Sequence, residues 1–250
     1  MNQPAPVAPS NSLAAAEFFR SSVEFICLLH SWPLLMGAPR GDGHHVVVVP
    51  GFGLGDESTA SMRGYLGLLG YRAHGWGLGK NRGAANLERT VKLFAEELSP
   101  LVKGGRKVSL IGHSLGGVIA RIYASTQPEA VRQVITLGSP FGGDVSAVNS
   151  IVGKLFERHA ASPGDTTADA AKCPLPVPAV AIFSETDGIV SSRDCKVEAH
   201  PHAENIEVRG SHSGLIVNPS VFYAIADRLA TQPELPRPFE PAGWRQSLYG

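Results

Sequence analysis

The chain has 250 residues, 43% of them hydrophobic and only 18% charged, against a usual charged fraction of about 25%, so it holds ample material for one sizeable core and is not disordered over most of its length. Its 22 Lys plus Arg balance 22 Asp plus Glu, so no net field draws it to nucleic acid or anionic lipid. Glycine and proline are abundant without a fixed period, which excludes collagen-like and solenoid repeats. The first 43 residues read as a Pro-rich lead and a helix over Leu13 to Ser31 that packs on the core. The run His45 to Val49 is uninterrupted and β-branched, as in a strand buried on both faces of a parallel sheet. A helix over Ser58 to Leu69, a short strand over Tyr71 to His74 and a helix from Ala84 to about Val102 follow, closed by Gly104-Gly105. The alternation continues through strand Lys107 to Ile111, helix Leu115 to Ser125 and strand Gln133 to Leu137. It breaks over Asp144 to Lys172, where one helix, Ser150 to His159, sits among small polar residues. Strands over Ala179 to Phe183 and Asn205 to Val208 and a helix over Pro219 to Ala230 complete it. Such alternation implies right-handed βαβ units and a mostly parallel sheet of about six strands flanked by helices, over residues 44–231. The segment 144–172 reads as a lid-like insertion leaving a strand end, with a plain surface excursion as the alternative. The tail 232–250, with four prolines, is an ordered strap or a frayed end.

The three cysteines, Cys27, Cys173 and Cys195, lack any CxxC spacing and are too few for a disulfide scaffold; whether Cys173 and Cys195 pair stays open. Without a basic segment near the start, the sequence carries no evident signal peptide, and a cytoplasmic location is expected. The apolar run Phe25 to Met36, broken by His30 and Pro33, is too short to span a membrane but leaves peripheral lipid contact open.

Chemistry concentrates in Gly112-His113-Ser114-Leu115-Gly116, a GxSxG match lying between a strand and a helix, which is the setting of a nucleophile elbow. There the serine projects from the carboxyl edge of the sheet, with the Leu115 N–H available as an oxyanion donor; a serine capping the helix is the structural alternative. A serine hydroxyl needs a base and a carboxylate to orient it. Asp187 and His212 follow in that order, each a few residues past the end of an expected strand, ahead of the competitors Glu185, Asp194, His200 and His202. The loop Pro50 to Gly55 offers Phe52 N–H as the second oxyanion donor, and it lacks the lysine and spacing of a nucleotide loop. Trp76, Leu78, Phe141 and Ile189, with Leu155 and Phe156 of the insertion, are candidates to line an acyl pocket.

Over residues 44 to 230 these motifs resemble the α/β-hydrolase superfamily, and more narrowly its bacterial esterase and lipase-like members. Gly138-Ser139-Pro140-Phe141-Gly142-Gly143 is similar to a lipase loop leading to a lid, whereas Pro50 stands where such lipases commonly carry His, and two early strands of the family are missing. The resemblance implies hydrolysis of a small acyl ester through an acyl-enzyme on Ser114, with neither metal nor organic cofactor. A thioesterase or acyltransferase using the same triad is the alternative, and an idle scaffold that only binds is a third. Substrate, acyl length and oligomeric state are not legible in the chain.

Overall fold

The computed structural model describes residues 9–83, 86–141, 169–232 and 237–249. Most of the expected lid, with Leu155 and Phe156, lies outside them. Strands β1 (His45–Val49), β2 (Arg72–His74), β3 (Val108–His113), β4 (Val131–Leu137), β5 (Ala179–Phe183) and β6 (Ala203–Glu207) form one sheet. Its order is β2-β1-β3-β4-β5-β6, and every pairing is parallel. The order steps outward in both directions from β1 and β3, so a crevice opens at the carboxyl ends of these central strands. The sequence places β1 and β5 to the residue, and the other strands within a few positions.

Helices α1 (Asn11–Leu35), α2 (Ala60–Leu68), α3 (Leu87–Val102), α4 (Leu115–Thr126), α5 (Asp169–Lys172) and α6 (Pro219–Ala230) cover the sheet. Because side chains alternate across a strand, β1 divides its valines. Val47 and Val49 face Phe94 and Leu98 of α3 and Ile119 and Ile122 of α4. Val46 and Val48 face Met62, Tyr65 and Leu66 of α2, Phe222 and Ile225 of α6, and Leu28 and Leu35 of α1. Both faces are therefore dry, as the unbroken β-branched run requires.

Helix α1 departs from the simple picture of an apolar helix lying on the core. Only Glu17, Leu28 and Leu35 of its 25 residues are buried, whereas Phe18 and Phe19 are 84% and 72% exposed. Described tail residues lie along β6 and α6: Tyr249 bridges Val208 in antiparallel fashion, its hydroxyl donates to the Ser220 carbonyl at 2.8 Å, and Arg228 Nη1 donates to Glu204 at 2.7 Å and to the Arg237 carbonyl at 2.7 Å. All three cysteines are free thiols, Cys195 buried and Cys173 exposed. Among the described residues no helix is long and apolar enough to cross a membrane.

Candidate active site

Between β3 and α4 the chain reverses within one residue. Ser114 has φ 52° and ψ −123°, and it alone among the described non-glycine residues has positive φ. The left-handed half of the map costs an L-residue about 1–3 kcal/mol, so the surroundings must hold it there. The Ser114 N–H donates to the Leu137 carbonyl at 2.9 Å, and its own carbonyl accepts from Gly117 N–H at 3.0 Å. Its side chain makes no capping hydrogen bond to α4, which removes the reading of this serine as a helix cap.

The glycines around it are there for space. A Cβ on Gly112 would stand 2.3 Å from Gly117 Cα, and one on Gly116 would stand 2.4 Å from the Val49 carbonyl oxygen and 2.6 Å from that of Pro50. Gly117, which the GxSxG pattern leaves out, is as constrained: its Cβ would fall 2.0 Å from Ser139 Oγ. Since the atoms approached at Gly116 are backbone, Gly116→Ala is expected to lower stability by about 3 kcal/mol, at the upper end of the range for overpacking. Urea denaturation of the two proteins checks this, and an unchanged midpoint would contradict the close packing of α4 on β1.

Asp187 and His212 lie past the ends of β5 and β6 and are brought together. His212 Nδ1–H donates to Asp187 Oδ2 at 2.7 Å. Asp187 Oδ1 accepts from Ile189 N–H and Val190 N–H, each at 2.8 Å, so both carboxylate oxygens are engaged. Gly138, at the end of β4, touches the pair: its Cβ would be 3.1 Å from Asp187 Oδ2 and from His212 Nδ1. Because Gly138 follows the Leu137 carbonyl that holds Ser114 N–H, one strand end adjoins all three residues, each of them buried. Burial of His212 opposes its imidazolium, but the charge and hydrogen bond of Asp187, with the nearby charge of Glu17, outweigh that and raise its pKa above the ordinary imidazole value. His113 is pushed the other way, to about 4, by burial first and then by His212. It is therefore neutral near pH 7, and its Nε2–H donates to the His212 carbonyl at 3.0 Å.

Of the competitors, Glu185 accepts from Ser192 and Lys196 at the surface, and the rings of His200 and His202 lie tilted beside each other there, their centroids 5.7 Å apart. Asp194 is buried in the turn over Ser192–Cys195. A second Ser, His and Asp set exists at the opposite end of the sheet, where His44 Nε2 meets Ser109 Oγ at 2.8 Å and His44 Nδ1 meets Asp42. Ser109 is 0% exposed, so no carbonyl has room to reach it.

The loop carrying Phe52 is pinned by Asn81, a fully buried residue that pattern reading passes over. Asn81 Nδ2 donates to the Pro50 carbonyl at 2.7 Å, and the Asn81 carbonyl accepts from Gly53 N–H at 2.7 Å. Trp76, Phe141, Phe52 and Leu78 gather in the cluster over α3 and α4, while Ile189 packs separately with Phe183, Val190 and Cys195. Phe141 lies beneath the Arg121 guanidinium, 4.0 Å from its ring centroid, and lines a cavity of about 550 Å³ with Leu175, Asp194 and Val197 that neither Ser114 nor His212 borders. Among the described residues, no cluster of three His, Cys, Asp or Glu side chains could hold a metal ion.

A strained serine between a parallel strand and a helix, at the crevice of this strand order, is an α/β-hydrolase arrangement. The family model of the PGAP1-like alpha/beta domain matches residues 88–221, more than half of the chain. The chain belongs to this family. The matched span of the PGAP1-like chain runs from α3 to the start of α6 and so contains Ser114, Asp187 and His212. It is 32% identical over 105 residues to the pimeloyl-[acyl-carrier protein] methyl ester esterase of Aliivibrio fischeri strain MJ11, covering 40% of this chain. It spans only 38% of the length of that curated relative. Solved structures extend the fold likeness beyond the family. An α/β hydrolase from the sediment metagenome of the Mar Chica lagoon superposes with a TM-score of 0.50 at 21% identity, over 76% of this chain and 91% of the other. A monoacylglycerol lipase of Paleococcus ferrophilus does so with 0.52 at 17% identity, over 77% and 96%.

Proposed function

We propose that the PGAP1-like chain hydrolyses carboxylic esters through an acyl-enzyme on Ser114. The observation that carries this reading is the strained Ser114 at the β3–α4 turn beside a buried, hydrogen-bonded Asp187–His212 pair. In this mechanism Ser114 Oγ attacks the ester carbonyl while His212 Nε2 takes its proton. The imidazolium so formed is stabilised by Asp187, and the Phe52 and Leu115 N–H groups hold the oxyanion. The protonated His212 gives its proton to the departing alkoxide, and water then cleaves the serine ester by the same route. An esterase among the partial relatives supports the ester bond as target. A serine-directed fluorophosphonate, together with nitrophenyl esters of increasing chain length, tests the reading. Labelling at Ser114 with ester turnover is expected, and an unlabelled protein would be an idle binding scaffold. Faster turnover of an acyl thioester than of its oxygen ester would move the reading to a thioesterase.

For the surrounding surface, we propose that the outward side of α1 rests on an uncharged lipid surface. Besides Phe18 and Phe19, the residues Val23, Phe25, Ile26, Leu29 and Leu34 are exposed there, and no Lys, Arg, Asp or Glu lies among the exposed positions of the helix. A face without formal charge gains nothing from anionic headgroups and loses no ion hydration on a zwitterionic surface. Phosphatidylcholine vesicles are expected to retain the protein at both low and high salt. Since burying one Phe is worth about 2 kcal/mol, Phe18→Ser with Phe19→Ser should lower retention at least tenfold. A dimer that this variant dissociates, with no vesicle binding by either protein, would make the face a subunit contact instead.

A further inference from the structure

A surface helix ordinarily turns its charges to water and its apolar stripe to the core. Over Glu17 to Glu24, helix α1 does the reverse. Its charged residues are Glu17, Arg20 and Glu24, and all three point inward to the loops that bear Asp187 and His212. Glu17 Oε1 accepts from Gly188 N–H at 2.9 Å and from His212 N–H at 3.0 Å, while its Oε2 accepts from Ser213 N–H at 2.9 Å. Glu24 Oε1 accepts from Ser211 N–H at 2.7 Å and from the Ser211 hydroxyl at 2.8 Å. Arg20 donates to the Thr186 carbonyl at 2.7 Å and to Thr186 Oγ1 at 2.9 Å.

The loops are cut to admit the helix. A Cβ on Gly188 would lie 2.7 Å from the Leu13 backbone, and one on Gly214 would lie 2.1 Å from Glu24 Oε2. Glu17 itself is only 5% exposed. Burying a carboxylate is costly unless hydrogen bonds replace its hydration, and here three charge-assisted bonds from main-chain N–H groups do so. An apolar contact would fasten a helix to a sheet at lower cost. What the carboxylate adds is direction: one side chain grips the residue after Asp187 together with the backbone of His212 and Ser213.

We propose that Glu17 is a positioning residue for the Asp187–His212 pair, with α1 acting as a brace that fixes the two loops relative to each other. This rests on the acyl-enzyme reading above. It adds that the N-terminal helix, outside the span matched by the family model, belongs to the working site. The titratable groups facing His212 are Asp187 from the loop after β5, His113 from the end of β3, and Glu17 from α1. Asp187 and Glu17 carry charge, and His113 is held neutral by burial.

Glu17→Gln tests the proposal, because it keeps the shape, removes the charge and turns an amide donor toward backbone donors. Expected are a fall in kcat of about 10- to 100-fold, the size that a misplacement of about 1 Å brings, little change in KM, and an acid limb of the pH profile moved to lower pH. The fluorophosphonate labelling rate should fall in parallel. Wild-type kcat with an unmoved acid limb in the folded variant overturns the proposal. Should Glu17→Gln fail to fold, Glu17→Asp serves: it keeps the charge and draws the oxygens back by about 1.5 Å, so kcat should fall about tenfold with the acid limb in place, and wild-type kcat would overturn the proposal. If the wild type neither labels nor turns over ester, the acyl-enzyme reading fails by itself. NMR titration of His212 in wild type and Glu17→Gln then decides, a lower imidazole pKa in the variant supporting the brace and an unchanged one overturning it.

Discussion

Ser114→Ala is expected to abolish ester hydrolysis and leave the protein folded. The hydroxyl does not cap α4, so its removal costs little stability. The Ala methyl meets the same strain at φ 52°, because the penalty there belongs to the Cβ. What disappears is the atom on which the acyl group is carried. Loss of a triad member costs about 10⁴-fold or more in turnover, with a residue of catalysis left to oxyanion donors and binding. The measurement is turnover of a nitrophenyl ester beside a thermal unfolding curve. Turnover within a few-fold of wild type, at an unchanged melting temperature, would remove Ser114 as nucleophile.

The strands were legible because a parallel sheet with helices on both faces demands apolar runs, and β1 and β5 supply them unbroken, while in β3 Ser109 interrupts the run. Ser114, Asp187 and His212 stood out because loops at strand ends, not strands, carry these residue types. The supports of the site were much harder to read. Gly117 clears Ser139 Oγ, a contact between residues more than 20 positions apart that no local pattern encodes. Asn81 looks like any loop Asn until its amide is seen beneath Pro50. The reversal of α1 did leave a trace: Glu17, Arg20 and Glu24 recur at helical spacing on one side, opposite an apolar stripe. Hydrophobicity alone turns the stripe inward; only the main-chain N–H groups of two distant loops, which Glu17 and Glu24 accept from, turn it out. The expected insertion helix Ser150 to His159 falls outside the described residues, so the contribution of Leu155 and Phe156 to an acyl pocket stands as the sequence left it.

Asp187→Asn should lower turnover nearly as far as loss of the serine, for a reason specific to this site. Asp187 Oδ1 is held by the N–H groups of Ile189 and Val190, so the one oxygen of an Asn side chain will settle there. Its NH2 then takes the place of Oδ2 and points at His212 Nδ1. Two donors cannot face each other, so His212 must carry its proton on Nε2 and accept through Nδ1. Nε2 is then no longer a base toward Ser114, and a loss of about 10⁴-fold in kcat near neutral pH is expected, as for the wrong tautomer in serine proteases. The pH dependence gives a second reading. In the wild type His212 must be neutral to act, so activity should rise with pH through a single ionisation lying above the ordinary imidazole value, because Asp187 and Glu17 outweigh burial in favouring the charged form. Folding linkage has the same sign: the stabilisation from this raised pKa is complete below the unfolded imidazole value and is lost as pH climbs through the folded one. Removing the Asp187 charge lets burial dominate, so in Asp187→Asn the His212 pKa should drop by NMR titration while the protein stays folded. Glu185→Gln, which alters only a surface contact with Ser192 and Lys196, should leave both rate and titration in place. An active Asp187→Asn beside an inactive Glu185→Gln or Asp194→Asn would transfer the carboxylate role to that neighbour.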